Sequence, residues 1–426
     1  MKKKLFSMKY LLSFDSSQSV LFFVSIMVAF GVLPVQTIAE TFQENKYLVS
    51  NHVQTGKTPV ANKVETDTQH YQLNVEKLVT TGLDGAWGIE FVDAHRALVT
   101  GKMGSLSWII DGKLDSQKIS GLPKVYGYDL VGGLMDLAID PGYSKNGWVY
   151  LAYSYNPQNS TDKNTPGMTK IVRGKVDGHR WVNEQVLFQV HDSLLVKNGM
   201  RWGSRFLFDK QGYLYFTIGD MQGSKQSGIN PQLLTRAEGK IFRIHSDGSI
   251  PKDNPLRGRD DVLQAIYAWG TRNVQGLAQH PVTGEIYFSD HGPKGGDELN
   301  ILKKGANFGW PLVTYGVDYD GSVISKDSVK AGMEQPIKHW TPSIAVCAIE
   351  FVQSPLFAHW KNNLIVTSLK FADLRRLVVE GDRVIEEEIL LKGYGRVRDV
   401  KVGPDGALYV LTNTPDALLR ITPEKQ

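Results

Sequence analysis

The stretch WGTRNVQGLAQHPVTGEIYFSDHGPKGGDELNILKKGAN, residues 269–307, carries the densest run of structural signals in the chain. Within it, VQGLAQH and EIYFSD are short apolar runs with aromatic or β-branched residues at alternate positions, and the segment between them is a turn. The pair therefore reads as two neighbouring strands. HGPKGGDELN follows, where glycines and a proline hold the backbone open beside charged side chains. Such a loop can present carbonyls and amides to a ligand.

Moving outward, the same pattern recurs. It appears as WGIEFVDAHRALVTGKMGSLSWI from Trp87, GLMDLAIDPGYSKNGWVYLAYS from Gly133 and WGSRFLFDKQGYLYFTIGD from Trp202. Further copies are VQGLAQHPVTGEIYFSDHG from Val274, AVCAIEFVQSPLFAHWKNNLIVTS from Ala345 and VRDVKVGPDGALYVLTN from Val397. The copies start roughly 50 to 70 residues apart, a spacing that leaves room for two more strands each. KIVRGKV near 170, GKIFRI near 241 and LRRLVVEGDRV near 374 fill that room. Four antiparallel strands repeated six times predict an all-β, six-bladed β-propeller, in which ring closure buries the blade faces and leaves only short edges. The strand-like YQLNVEKLV at 71–79 is placed to complete the last blade beside LLRIT. In such a ring, loops joining successive blades gather at one mouth of a central channel, so a ligand site should draw on several repeats.

The 426 residues include 42 glycines and 17 tyrosines, a balance that suits many turns and strands. Residues 1–39 have the features of a signal peptide: Lys2, Lys3, Lys4 and Lys9, then the apolar Val20 to Leu33, then small residues ending at Ala39. Cleavage after Ala39 predicts a periplasmic or secreted protein with no stable membrane span. It removes four lysines and Asp15, so the formal net charge falls from +4 to +1. A nearly neutral chain gives no footprint for nucleic acid. Residues 40–70 are polar and read as an N-terminal arm, with the propeller occupying 71–426. Cys347 is the single cysteine; it lies in an apolar run and excludes an intrachain disulfide.

No dinucleotide-binding glycine motif, Walker loop, zinc-type cysteine pair or HExxH is present. The candidates for chemistry are instead polar residues on inter-blade loops: Arg272 and Asn273, His291 to Asp297, Lys370, and Arg396 with Arg398. Any one of them alone reads as a surface charge or a salt bridge between blades. Together, in consecutive blades, the cations suit a ligand bearing several carboxylates.

With those motifs in place, the chain resembles the soluble glucose/sorbosone dehydrogenase type of pyrroloquinoline quinone (PQQ)-dependent aldose sugar dehydrogenase. The resemblance covers about residues 80 to 422. It rests on GKIFRIHSDGSIPKDNP at 239–255, IYAWGTRNVQGLAQHPVTGEIYFSDHGPKGGDELN, NFGWPLVTYG at 307–316 and GRVRDVKVGPDGALYVLT. It implies that Arg272 and Asn273 contact the quinone, that Lys370, Arg396 and Arg398 hold its carboxylates, and that the carbonyls of Gly292 and Pro293 ligate calcium. Backbone oxygens suit so hard a cation. The implied partners are a small-molecule sugar and an electron acceptor that the residues do not identify.

The departures matter as much. Where the family places the histidine that acts as general base, this chain has Arg201, in RWGSR, and an arginine cannot serve as a base at usable pH. The family's partner aspartate is retained as Asp220, so an inert Arg201–Asp220 ion pair is expected. Val131 replaces a family glutamine and Ala237 a family histidine. His191 can stand in as the base only if its loop folds back. The leading reading is a PQQ enzyme oxidising aldoses to lactones, with its base unassigned. The alternative is a non-catalytic propeller that keeps cofactor or sugar binding; a calcium-dependent lactonase fits the arginines and lysine less well.

Overall fold

A computed structural model describes residues 68–424, apart from 129–130, 223–224 and 226–227. The leader-like segment 1–39 and nearly all of the arm at 40–70 lie outside the described residues.

Each repeat folds because its alternating runs can bury both faces only against a neighbour. The two runs of every copy become the two innermost strands of one four-stranded antiparallel sheet. Blade 1 comprises Ala86–Phe91, Arg96–Gly101, Ser105–Ile110 and Lys113–Leu114. Blade 2 opens with Leu134–Ile139, blade 3 with Phe206–Phe208, blade 4 with Val274–Gln279, blade 5 with Val346–Phe351 and blade 6 with Arg396–Val402. These innermost strands neighbour one another in order round the ring, blade 6 against blade 1, which makes the fold a six-bladed β-propeller. Leu73–Val79 pairs antiparallel with Ala417–Pro423, so the chain's beginning supplies the outer strand of blade 6.

Every seam between blades has its own apolar core. Leu98, Leu106 and Trp108 of blade 1 meet Leu134 and Leu151 of blade 2, and Tyr287 and Leu299 of blade 4 meet Val346 and Leu364 of blade 5. The closing seam packs Ile89 and Val99 against Leu411 and Leu418. Cys347 is fully buried near the axis.

Two recurrent features shape the channel. In five blades the innermost strand carries a one-residue bulge against its partner, as between Ala86 and Ile89 or Val274 and Gly276. A bulge re-aims the side chains beside it. Buried hydroxyls on the second strand then satisfy backbone of the next blade: Thr100 donates to the Met135 carbonyl, Thr217 to that of Val274 and Ser289 to that of Cys347.

Candidate active site

Beyond the bulges, the chain leaves the second strand of each blade at one channel mouth. Gly101 stands opposite Ala86, Asp290 opposite Val274 and Ser368 opposite Val346. The next residue in each case, Lys102, His291 or Leu369, lines a cavity of about 170 Å³. Trp87, Val131, Arg201, Trp202, Asn273, Gln275, Arg396 and Arg398 also line it. Loops within blades thus contribute to the lining alongside the loops between them, which is more than the repeat pattern foretells.

Among the described residues of that lining four side chains are cationic, Lys102, Arg201, Arg396 and Arg398, and none is a carboxylate. The excess shows in the proton affinities. Burial, with Arg398 and Arg396 alongside, pushes the Lys102 ammonium down to about 8. Burial and the surrounding arginines hold His291 well below the usual histidine range, so its imidazole is neutral at pH 7. Burial, then Arg272, also presses Arg201 downward, against the opposing pull of Asp220.

The site residues named from sequence divide into groups. Arg396, Arg398, Asn273 and Arg201 come together on the cavity; Asn273 Oδ1 accepts from the Gly203 amide at 3.2 Å. Arg201 Nη1 meets Asp220 Oδ1 at 3.3 Å, while Trp310 Nε1 donates to Asp220 Oδ2 at 2.9 Å. Arg272 is buried just behind the lining. Its Nη1 donates to the carbonyls of His291 and Gly292, the latter at 2.7 Å, and its guanidinium lies 5.5 Å from the Trp310 ring. Lys370 is exposed and outside the lining; its Nζ lies 5.3 Å from the Phe371 ring. Pro293 is buried and also outside it. His191 is exposed and caps its own short turn by accepting from the Ser193 amide.

Carboxylates behind the lining set the loop. Asp290 accepts the backbone amides of Arg272 at 2.8 Å and Asn273 at 2.6 Å, and burial raises its carboxyl to about 6. Asp297 accepts from the Gly292 amide and the Ser343 hydroxyl, both at 2.8 Å, and from the Val346 amide at 2.9 Å. A Cβ on Gly292 would sit 2.3 Å from the Gly296 carbonyl oxygen, so only glycine fits there.

Below the cavity, the charges are arranged differently. Arg205 Nη1 reaches Asp136 at 3.1 Å and Asp399 at 3.0 Å, and its Nε donates to the Gln275 carbonyl at 2.7 Å, tying blades 2, 3, 4 and 6. Its guanidinium lies 4.4 Å from the ring of Trp87, which makes that indole the cavity floor. Lys102, Trp87 and Gln275 escaped the sequence reading. The signal for Lys102 was there: TGK102 holds the same place in the first copy as SDH291 does in the fourth.

The molecule is thus a six-bladed propeller with a cationic channel mouth above a buried cluster of Arg205, Asp136 and Asp399. The sequence profile of the Glucose / Sorbosone dehydrogenase family matches residues 83–420, and the chain belongs to that family. It is similar to the aldose sugar dehydrogenase YliI of Escherichia coli (strain K12), at 35% identity over 82% of this chain and 93% of the other. It is also similar to quinoprotein glucose dehydrogenase B of Acinetobacter calcoaceticus, at 26% identity over 66% and 73%. Among solved structures, the soluble aldose sugar dehydrogenase of Escherichia coli in its apo-form aligns with a TM-score of 0.75 at 33% identity, covering 83% of this chain and all of that one. The PQQ-bound aldose sugar dehydrogenase of Streptomyces coelicolor shares the fold, with a TM-score of 0.65 at 22% identity over 83% and 99%.

Proposed function

We propose that this protein is an exported oxidoreductase that oxidises aldose sugars to lactones, with PQQ as electron acceptor and calcium as its second cofactor. The observation that carries the reading is the cavity lined, among the described residues, by four cations and no carboxylate. Relatives named as an aldose sugar dehydrogenase and a quinoprotein glucose dehydrogenase support it. Export rests on the leader-like residues 1–39; among the described residues no helix is long and apolar enough to cross a membrane.

The residues fit a planar polyanion. Two buried donors at the site, Trp202 Nε1 and Arg272 Nε, have no hydrogen-bond partner among the described residues, as suits an acceptor-rich ligand. Lys102, Arg396 and Arg398 would neutralise its carboxylates, with Lys370 closing from blade 5. Asn273, whose Oδ1 is taken by Gly203, would donate from its amide nitrogen, and the Trp87 indole would support the ring system. Calcium fits on one condition. The Gly292 carbonyl now accepts from Arg272, so Arg272 must turn to the quinone before Gly292 and Pro293 can hold the ion. When bound, the quinone supplies a two-electron acceptor and calcium the Lewis acid that polarises its carbonyl. Arg201 keeps its proton throughout and is assigned no acid-base role; Asp220 anchors it, and the general base is left unassigned.

The second reading, a propeller that binds but does not turn over, is favoured by that same Arg201–Asp220 pair. Mixing the mature protein with PQQ and calcium, and following absorbance and dye reduction over a panel of sugars, separates the two. Turnover eliminates the binding-only reading; tight quinone binding without turnover on any sugar eliminates the enzyme. Arg201→His should raise turnover of neutral aldoses by restoring a base.

A further inference from the structure

The cations of the cavity form two sets facing each other across the channel. On blades 1 and 6, Arg398 and Arg396 act on Lys102. On blade 3 and its junction with blade 4, Arg272 acts on Arg201, with Asp220 and then Tyr319 opposing. His291, on the lining, feels both pairs of arginines. The first set suffices to grip one edge of a planar polyanion. With Arg272 turned to the quinone, Arg201 of the second set is left facing whatever shares the cavity with it.

Arg201 is poorly neutralised. Asp220 meets it through one oxygen at 3.3 Å and gives the other to Trp310. A guanidinium has five N–H donors; among the described residues, the Asp220 bond is the one side-chain hydrogen bond that Arg201 makes. Its side chain keeps 14% exposure, all within reach of the mouth where Met200 also lines the cavity. Tyr319, well exposed, brings its hydroxyl to 3.3 Å from Arg272 Nη2. On the Tyr319 loop, Asp320 pairs with Lys225 at 2.5 Å and Asp318 lies 4.0 Å from the same ammonium. A partly open guanidinium fork is the group that takes a carboxylate or phosphate in preference to a neutral hydroxyl.

We propose that the sugar received by this site is anionic, a sugar carboxylate or a sugar phosphate, and that Arg201 holds its charged group. This rests on the proposed function. It makes Arg201 a specificity residue rather than the remnant of a lost base.

The test uses the full mature protein reconstituted with PQQ and calcium. Binding of D-glucuronate, D-glucose 6-phosphate and D-glucose is measured by calorimetry, and turnover by dye reduction. One anionic sugar should bind at least about tenfold more tightly than glucose, the scale of one charge-assisted hydrogen bond. Which of the two does so distinguishes carboxylate from phosphate. Arg201→Gln should abolish that preference through KM more than kcat, Arg201→Lys should restore part of it, and added salt should weaken it. The melting temperature of each variant checks folding. Glucose bound as tightly as both anions, or a preference that survives Arg201→Gln, overturns the inference. Failure to bind PQQ overturns the proposed function instead. Should no sugar turn over, the binding comparison alone still decides.

Discussion

Two charged regions share one channel and behave oppositely. At the floor, Arg205 is held between Asp136 and Asp399, so buried charge meets buried charge, and the half-buried Lys401 pairs with Glu90. At the mouth, Lys102, Arg201, Arg396 and Arg398 converge with no carboxylate on the lining among the described residues. The floor's charges are satisfied by neighbouring blades and lock the ring. At the mouth the cations lie close enough to act on one another: beyond burial, Arg398 and Arg396 lower the Lys102 proton affinity and Arg272 that of Arg201.

The largest expected effect breaks the floor. Arg205→Met leaves Asp136 and Asp399 buried without their partner and should cost about 3–5 kcal/mol in chemical denaturation. A loss under about 1 kcal/mol would mean that the cluster does not lock the blades.

Lys102→Met sharpens the contrast at the mouth. Removing one charge-assisted contact should weaken PQQ binding by about 10- to 100-fold in a titration followed by absorbance. The same substitution should raise the melting temperature of the apo protein at pH 7. The sign follows from the depressed lysine: between about 8 and the ordinary 10.5 the folded form binds fewer protons than the unfolded form, so Lys102 destabilises most below pH 8 and the penalty fades as pH rises. The variant's advantage should therefore vanish above about pH 10. For the same reason quinone affinity should be flat below pH 8 and fall above it, because binding must then take up a proton.

A smaller effect concerns the metal. Arg272→Gln removes the guanidinium from the Gly292 carbonyl. Calcium alone, measured by calorimetry without quinone, should bind this variant at least about threefold more tightly than the parent, as expected for loss of one like charge near the ion. Equal affinity would show that Arg272 does not compete for that oxygen. Smallest of all, Thr217→Val removes the hydroxyl that bonds the Val274 carbonyl across a seam and should cost about 1 kcal/mol without altering quinone affinity.

Much of the architecture was legible because a propeller is local repetition. The six copies became the six pairs of inner strands, and YQLNVEKLV took its place beside LLRIT. The site was legible only in part. Arg396, Arg398 and Asn273 were found through motif and reach the cavity, whereas Lys370 projects to solvent beside Phe371. Lys102 was passed over because an isolated lysine after a strand has no meaning until the ring brings Arg396 and Arg398 against it.

By itself, the sequence determined the period, the number of blades and the presence of an arginine at position 201. These depend on residue identity and spacing along the chain. Only the tertiary structure decided which charges are matched and which are not, because that balance joins residues as far apart as Lys102 and Arg398. Electrostatic energy depends on distance through space and on burial, and a closed ring sets both at once.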